Sequence, residues 1–166
     1  PTINTTSDEG GPCLSADGLA LAFHSRRPGG QGDFDLWISR RSSPTAPFGP
    51  PENLGRTING PGPDTFPRFL GDDDTVLFTR GGTLFLTFRN AAGAVGALSL
   101  PNQPEGFFSP WPSPDGTALY FHRDGRQGGI GSNDIWLTRR VPRDSPEANT
   151  PATPVVSIDP PKLEPV

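Results

Sequence analysis

The chain has 166 residues, enough for one compact domain, and carries a formal net charge of −4. It has no basic stripe and no apolar run near the roughly 20 residues of a membrane-spanning helix, so the sequence argues against a nucleic-acid surface and against a membrane span. Hydrophobic residues make up only 32%, while 21 glycines and 22 prolines recur between short apolar runs. This pattern predicts an all-β chain of many short strands joined by turns.

Three segments align without gaps and define an internal repeat. They are PCLSADGLALAFH (12–24), PRFLGDDDTVLFT (67–79) and PWPSPDGTALYFH (110–122). A loop follows each of them, and then a second shared string: DLWISRR (35–41), TLFLTFR (83–89) and DIWLTRR (134–140). The copies start 55 residues apart (12 to 67) and 43 residues apart (67 to 110), which is typical of a repeated supersecondary unit.

Each copy is predicted to fold as an antiparallel meander of four short strands. Asp17-Gly18 and Asp115-Gly116 separate the first two apolar stretches, where glycine can take the positive φ of a tight hairpin turn. Asp72-Asp73 replaces this pair in the middle copy. The predicted fourth strands are ENL (52–54) and GALSL (96–100). Four short strands in a unit of roughly 40 to 55 residues are typical of a β-propeller blade.

The repeat divides the chain into three predicted blades and a tail. The blades cover about 2–60, 61–103 and 104–140, and 141–166 is a Pro-rich tail or linker. Within the tail, 154–158 is either the outer strand of the third blade or part of an extended linker.

The first residues of the chain resemble a connection between blades. Thr2-Ile3-Asn4 lies ten residues before Pro12, as Thr57-Ile58-Asn59 lies ten residues before Pro67. Because the second string follows an outer strand, we expect the first to be the exit from a preceding blade.

The repeat strings resemble the WD-repeat-like propeller repeats of bacteria, of the TolB type. The matching residues are Pro110, Ser113-Pro114-Asp115-Gly116, Leu119-Tyr120-Phe121 and Asp134-Ile135-Trp136, with Ser15-Ala16-Asp17-Gly18 and Asp35-Leu36-Trp37 in the first copy. The middle copy departs from this pattern. The resemblance implies a six- to eight-bladed propeller, often periplasmic or extracellular, that binds proteins or ligands through its faces. Since three blades do not close a ring, it also implies further upstream blades or self-association.

Candidate ligand contacts lie in two Gly-rich loops and on one inner strand. Arg27 and Gln31 belong to the first loop, and Arg126 and Gln127 to the corresponding loop of the third copy. Loops on one propeller face share an orientation, so these side chains can form one polar surface. The alternative interpretation is a pair of plain turns with each arginine bound to a nearby carboxylate. Trp111 is expected either in the core, which we favour, or facing the channel or a binding surface.

A second group of residues is predicted to be structural. Its members recur at fixed repeat positions: Asp17, Gly18, Asp35, Trp37, Phe85, Asp115, Gly116, Asp134 and Trp136. The tryptophans and Phe85 are expected to pack between blades, and each aspartate two residues before a tryptophan is expected to bond the arginine of the adjoining loop.

Two further patterns can be read as metal ligands or as structural features. His24 and His122 hold equivalent positions and are predicted to pack between blades rather than to bind a metal. The run 72–74 of three aspartates is interpreted as a solvated turn rather than a calcium site. No metal site and no cofactor are predicted.

The sequence contains no arrangement of catalytic residues. The segment 113–117 has the wrong spacing for a sialidase Asp box, there is no G-x-S-x-G elbow, and Cys13 has no evident histidine partner. We therefore predict a non-catalytic module that binds a protein or polysaccharide partner. The alternative is an accessory propeller of a serine peptidase or glycosidase whose catalytic part lies outside this chain.

Overall fold

The computed structural model describes residues 3–89, 95–100, 106, 108–113, 117–124 and 133–139. These residues form three antiparallel sheets that follow one another along the chain. The first sheet contains β1 (Glu9–Leu14), β2 (Ala20–Ser25), β3 (Asp35–Arg40) and β4 (Glu52–Asn53). The second contains β5 (Asp64–Leu70), β6 (Asp72–Arg80), β7 (Thr83–Arg89) and β8 (Val95–Ser99), and the third contains β9 (Phe108–Pro112), β10 (Ala118–Asp124) and β11 (Asn133–Arg139). The predicted all-β class is confirmed.

Each sheet is a meander in which consecutive strands pair. In the first sheet β2 and β3 pair from Ala20↔Arg40 to Ser25↔Asp35. The outer strands β4 and β8, which pair with β3 and β7, contain most of the segments predicted as fourth strands. The third sheet has three strands among the described residues, and the tail segment 154–158 lies outside them.

The first hairpin turn is the one predicted from the sequence. Gly18 has a φ of 71°, and Asp17 Oδ1 accepts a hydrogen bond from the amide of Leu19. Ser15 Oγ accepts a hydrogen bond from the amide of Ala20, which closes the turn. The equivalent Asp115 and Gly116 lie outside the described residues.

The middle turn differs from the prediction. Gly71 takes the positive φ, 58°, and β6 already begins at Asp72, so Asp72-Asp73 does not form the turn. The prediction aligned the turn by its aspartates, whereas a left-handed backbone favours the residue that lacks a Cβ. The run 72–74 is therefore strand rather than turn.

The three sheets pack on one another through a contact that repeats. Leu36 of the first sheet lies in a buried cluster with Ile58 and Phe78. One copy later, Leu84 and Leu77 of the second sheet lie in a buried cluster that includes Phe121 of the third. Leu36 and Leu84 hold the same repeat position, as do Phe78 and Phe121. Each sheet therefore offers the same face to the sheet that follows it.

The connection between the first two sheets uses the string found in the sequence. Ile58 is buried between Leu36 and Phe78. The side chain of Asn59 pairs with both backbone groups of Leu36, at 2.9 Å to its amide and 3.1 Å to its carbonyl. The string Thr57-Ile58-Asn59 thus fastens one sheet to the next.

The first strand of each sheet is called here its inner strand: β1, β5 and β9. These inner strands approach one another and share a backbone irregularity. β5 lies between β1 and β9 and contacts both. In each of the three strands the residue before the proline that opens the repeat copy has a positive φ: 57° at Gly11, 55° at Phe66 and 48° at Ser109. The pairing register shifts at the same place in all three. Such β-bulges change the direction of the side chains that follow them.

Gly11→Ala is expected to lower the free energy of unfolding by about 2 kcal/mol. A Cβ there would lie 2.7 Å from His24 Nδ1, and the left-handed conformation costs an alanine roughly 1–2 kcal/mol by itself. Urea unfolding of the purified chain measures the difference. The matched control is Gly62→Ala, because a Cβ at that position meets nothing within 4 Å. Equal losses for the two variants would contradict the role assigned to Gly11.

Candidate functional site

Two of the three residues that follow the proline of each bulge meet in space. Cys13, Arg68 and Trp111 hold the same repeat position, one residue after each proline. The guanidinium of Arg68 lies 4.8 Å from the centre of the Trp111 ring. Its Nη1 donates hydrogen bonds to the carbonyls of Pro12, at 3.3 Å, and Pro67, at 2.9 Å. Arg68 therefore connects the inner strands of all three sheets.

Arg68 forms no ion pair with any side chain that the structure describes. The ion pairs in that part of the chain involve Arg26, Arg27 and Arg80, and none involves Arg68. Its Nε is buried without an acceptor, and the hydrogen bonds that its side chain donates to described residues come from Nη1. Arg68 is thus a partly buried cation with unused hydrogen-bonding capacity.

Trp111 is exposed, which differs from the core position that we favoured for it. Its exposed fraction is 60%, compared with 7% for Trp37 and 4% for Trp136. Trp136 is buried against the second sheet, and Trp37 is buried on the other face of its sheet from Leu36, beneath Arg27. Trp111 lies on an inner strand, where no described strand covers it, and its ring is available to a ligand.

An aromatic cluster lies on the same inner strands. His24 makes edge contacts with Phe34 and Phe66, and Phe66 in turn makes an edge contact with His122, which stacks on Phe108. The amide of Phe66 donates to His24 Nδ1 at 3.2 Å. Burial, with a smaller contribution from the charge of Arg68, lowers the pKa of His24 to about 4. The two histidines thus pack between sheets, as predicted, with one phenylalanine between them.

Arg27 binds a carboxylate, Glu9, and a backbone carbonyl, that of Ile3; we call this arrangement an arginine clamp. Arg27 is 9% exposed, and its Nη2 donates to the carbonyl of Ile3 at 2.5 Å and to Glu9 Oε1 at 3.2 Å. Burial would raise the pKa of Glu9, but hydrogen bonds from Thr5 and Ser25 and the charge of Arg27 hold it below its usual value. The structure therefore places Arg27 in the packing of the first sheet, beside the carboxylate that the alternative interpretation anticipated.

The same clamp occurs in the second sheet. Arg80 donates through Nε to Asp64 Oδ1 at 2.7 Å and through Nη2 to the carbonyl of Ile58. Asp64 is fully buried and also accepts a hydrogen bond from the amide of Gly60 at 2.8 Å. Burial raises the pKa of Asp64, and the bonds from Arg80 and Gly60 oppose that effect. Ile3 and Ile58 hold equivalent positions, as do Glu9 and Asp64, whereas the two arginines come from different repeat positions.

Asp35 is structural, although its partners differ from the expected arginine. Its carboxylate accepts hydrogen bonds from the amides of Gln31, at 2.5 Å, and Gly32, at 3.2 Å, and from Asn53 Nδ2 at 2.9 Å. The adjoining loop is the predicted one, but its backbone makes the contact. The loop curls over the Asp35 carboxylate, so its backbone amides reach it. Arg27 does not bind Asp35 because it is paired with Glu9.

Of the predicted ligand-binding residues that the structure describes, Trp111 is the one that contacts a candidate residue not predicted from the sequence, Arg68. Trp111 meets Arg68, while Arg27 lies in its clamp and Gln31 is exposed in its loop. Arg126 and Gln127 lie outside the described residues, so their roles remain predictions. Arg68 was missed, although its position in the alignment, in the same column as Trp111, was a signal for it.

Phe85 and the third-copy residues can also be placed. Phe85 stacks on Phe78 at 5.5 Å and packs against the cluster between the first two sheets. Trp136 lies in the cluster between the second and third sheets. Asp134 lies on β11 beside Ile135, opposite Arg123.

No known protein family matches the chain, and no curated protein sequence matches it. Among the described residues no three metal-binding side chains come together, and no helix there is long and apolar enough to cross a membrane.

Proposed function

We propose that the chain forms three blades of a larger β-propeller of the TolB type, with six to eight blades, and that it acts as a non-catalytic module that binds a protein or another ligand. The observation that supports the propeller is the repeated contact between sheets. Leu36 lies in one buried cluster with Phe78, and Leu84 lies in another with Phe121, while the inner strand β5 contacts both β1 and β9. Such radial repetition is the arrangement of propeller blades.

The third sheet has a face suited to a further blade. Ile135 holds the repeat position of Leu36 and Leu84 but is 75% exposed, whereas Leu36 is fully buried. His122 pairs with Ile135, and Tyr120 lies two residues before His122 on the same strand, so Tyr120 and Ile135 share a face. Tyr120 is also exposed. An apolar face of this kind marks an association surface, and a sheet of the same repeat has the shape to cover it.

The wild-type chain is expected to associate in solution in a concentration-dependent way, because the open face of the third sheet remains to be covered. Light scattering at several concentrations measures this, and a discrete dimer of the 17.7 kDa chain would indicate two halves of a six-bladed ring. Ile135→Asp should suppress the association, while the control Leu98→Asp, at an exposed position of β8, should not. A wild-type chain that is monomeric at every concentration would contradict the open face as a blade-docking surface.

The binding role is supported by the inner strands, where an exposed tryptophan lies beside an uncompensated arginine. Exposed aromatic residues and arginine are enriched where proteins bind partners. An array of immobilised peptides and glycans tests the role directly. Binding to a defined subset supports it, and a chain that binds nothing on the array would overturn it.

A further inference from the structure

Beyond their bulges, the inner strands β1, β5 and β9 carry one charged group, Arg68. Beyond the bulges, the described residues of these strands are apolar or carry a thiol, apart from Arg68: Cys13, Leu14, Phe69, Leu70, Trp111 and Pro112. Leu14 and Trp111 are more than half exposed. A ligand that reaches Arg68 therefore meets one cation beside the exposed ring of Trp111.

Arg68 is suited to bind a carboxylate. Two carbonyls already accept hydrogen bonds from Nη1, and Nη2 remains without an acceptor among the described residues. A guanidinium binds a carboxylate through planar, charge-assisted hydrogen bonds, which are stronger than bonds between neutral groups. The buried, unpaired Nε adds to the free-energy cost of leaving this cation without a counter-ion.

We propose that Arg68 and Trp111 form the centre of a binding site for an acidic peptide, in which a Glu or Asp side chain of the partner binds Arg68 and a bulky apolar neighbour packs on Trp111. This proposal rests on the proposed binding function and names the class of its partner. A sugar chain fits the site less well, because its many hydroxyl groups need hydrogen-bonding side chains that the described inner strands do not offer.

The three tryptophans make the site observable. Trp37 and Trp136 are buried, so quenching of the fluorescence by acrylamide reports mainly on Trp111. The probes are the blocked peptide acetyl-Ser-Leu-Glu-Phe-Ser-amide, the same peptide with Gln in place of Glu, and an oligogalacturonate. The Glu peptide should shield Trp111 and bind about tenfold more tightly than the Gln peptide, since a charge-assisted hydrogen bond is lost in the latter.

Arg68→Gln should lower the affinity for the Glu peptide about tenfold and make the two peptides equivalent. The matched control is Arg56→Gln, which removes the same charge from an exposed position and should leave the affinity unchanged. If Arg68→Gln does not fold, Arg68→Lys keeps the charge but has one nitrogen in place of Nη1 and Nη2. It cannot bond the carbonyls as Nη1 does and a carboxylate as Nη2 would, so it should lose affinity severalfold.

Three results would overturn the proposal: equal affinities of the wild-type chain for the Glu and Gln peptides, tighter binding of the oligogalacturonate than of the Glu peptide, or the same loss for Arg56→Gln as for Arg68→Gln. These failures differ from failure of the binding function itself. A wild-type chain that binds on the array with its binding unchanged by Arg68→Gln retains the binding function and loses this site. A chain that binds nothing on the array loses both.

Discussion

Asp64→Ala is expected to lower the free energy of unfolding by about 3 to 5 kcal/mol, the usual cost of breaking a buried ion pair by removing one partner. Asp64 is fully buried, and its carboxylate holds Arg80 Nε at 2.7 Å and the amide of Gly60 at 2.8 Å. Without it, the Arg80 cation and the amide both lose their acceptor. Urea unfolding followed by circular dichroism measures the change.

The matched control is Asp33→Ala. Asp33 forms an ion pair with Arg26, but both side chains are nearly half exposed, so water and salt screen the pair. Its loss should leave the free energy of unfolding almost unchanged. A similar loss for the two variants would show that the clamp around Arg80 contributes no more than a surface contact.

Lowering the pH from 6.5 to 4 is expected to reduce the stability by about 3 kcal/mol through His24 alone. Burial, and to a smaller extent the charge of Arg68, lowers the pKa of His24 from 6.5 to about 4. In this pH range the unfolded chain binds the proton and the folded chain does not. The stability is therefore fully present above pH 6.5 and is lost as the pH falls toward 4.

His24→Phe should flatten this pH dependence. The variant keeps an aromatic ring between Phe34 and Phe66, although the amide of Phe66 loses its acceptor and the overall stability falls. The measurement is the free energy of unfolding between pH 5 and 6.5, where carboxylates with ordinary pKa values contribute little. A variant with the same slope as the wild-type chain would assign the dependence to other groups.

The two arginine clamps separate structural arginines from the candidate binding arginine. Arg27 and Arg80 each bind a carboxylate and the carbonyl of an isoleucine that precedes their sheet. Arg68 binds only carbonyls and an aromatic ring. A buried arginine that is already paired with a carboxylate has few free hydrogen-bond donors for a ligand. We therefore place the candidate site on the inner strands, at Arg68, and not in the Gly-rich loop of Arg27.

The sequence by itself determined the elements whose causes are local. Strand propensity and the Asp17-Gly18 pair placed β1 and β2 and the turn between them, because glycine takes a positive φ without a steric cost. The repeat aligned Leu36 with Leu84 and so implied that the same contact recurs between sheets. These features depend on residues close together in the chain, or on positions that the repeat makes equivalent.

Only the tertiary structure decided which polar groups meet. Arg68 reaches Pro12 and Trp111 across two sheet boundaries, and these contacts join residues more than 40 positions apart. The exposure of Trp111 could not be predicted from the sequence either, because a tryptophan in a strand is compatible with a core position and with a surface position. Which face of an inner strand is covered depends on the bulge before it and on the neighbouring sheets, and neither is encoded in the local pattern of apolar residues.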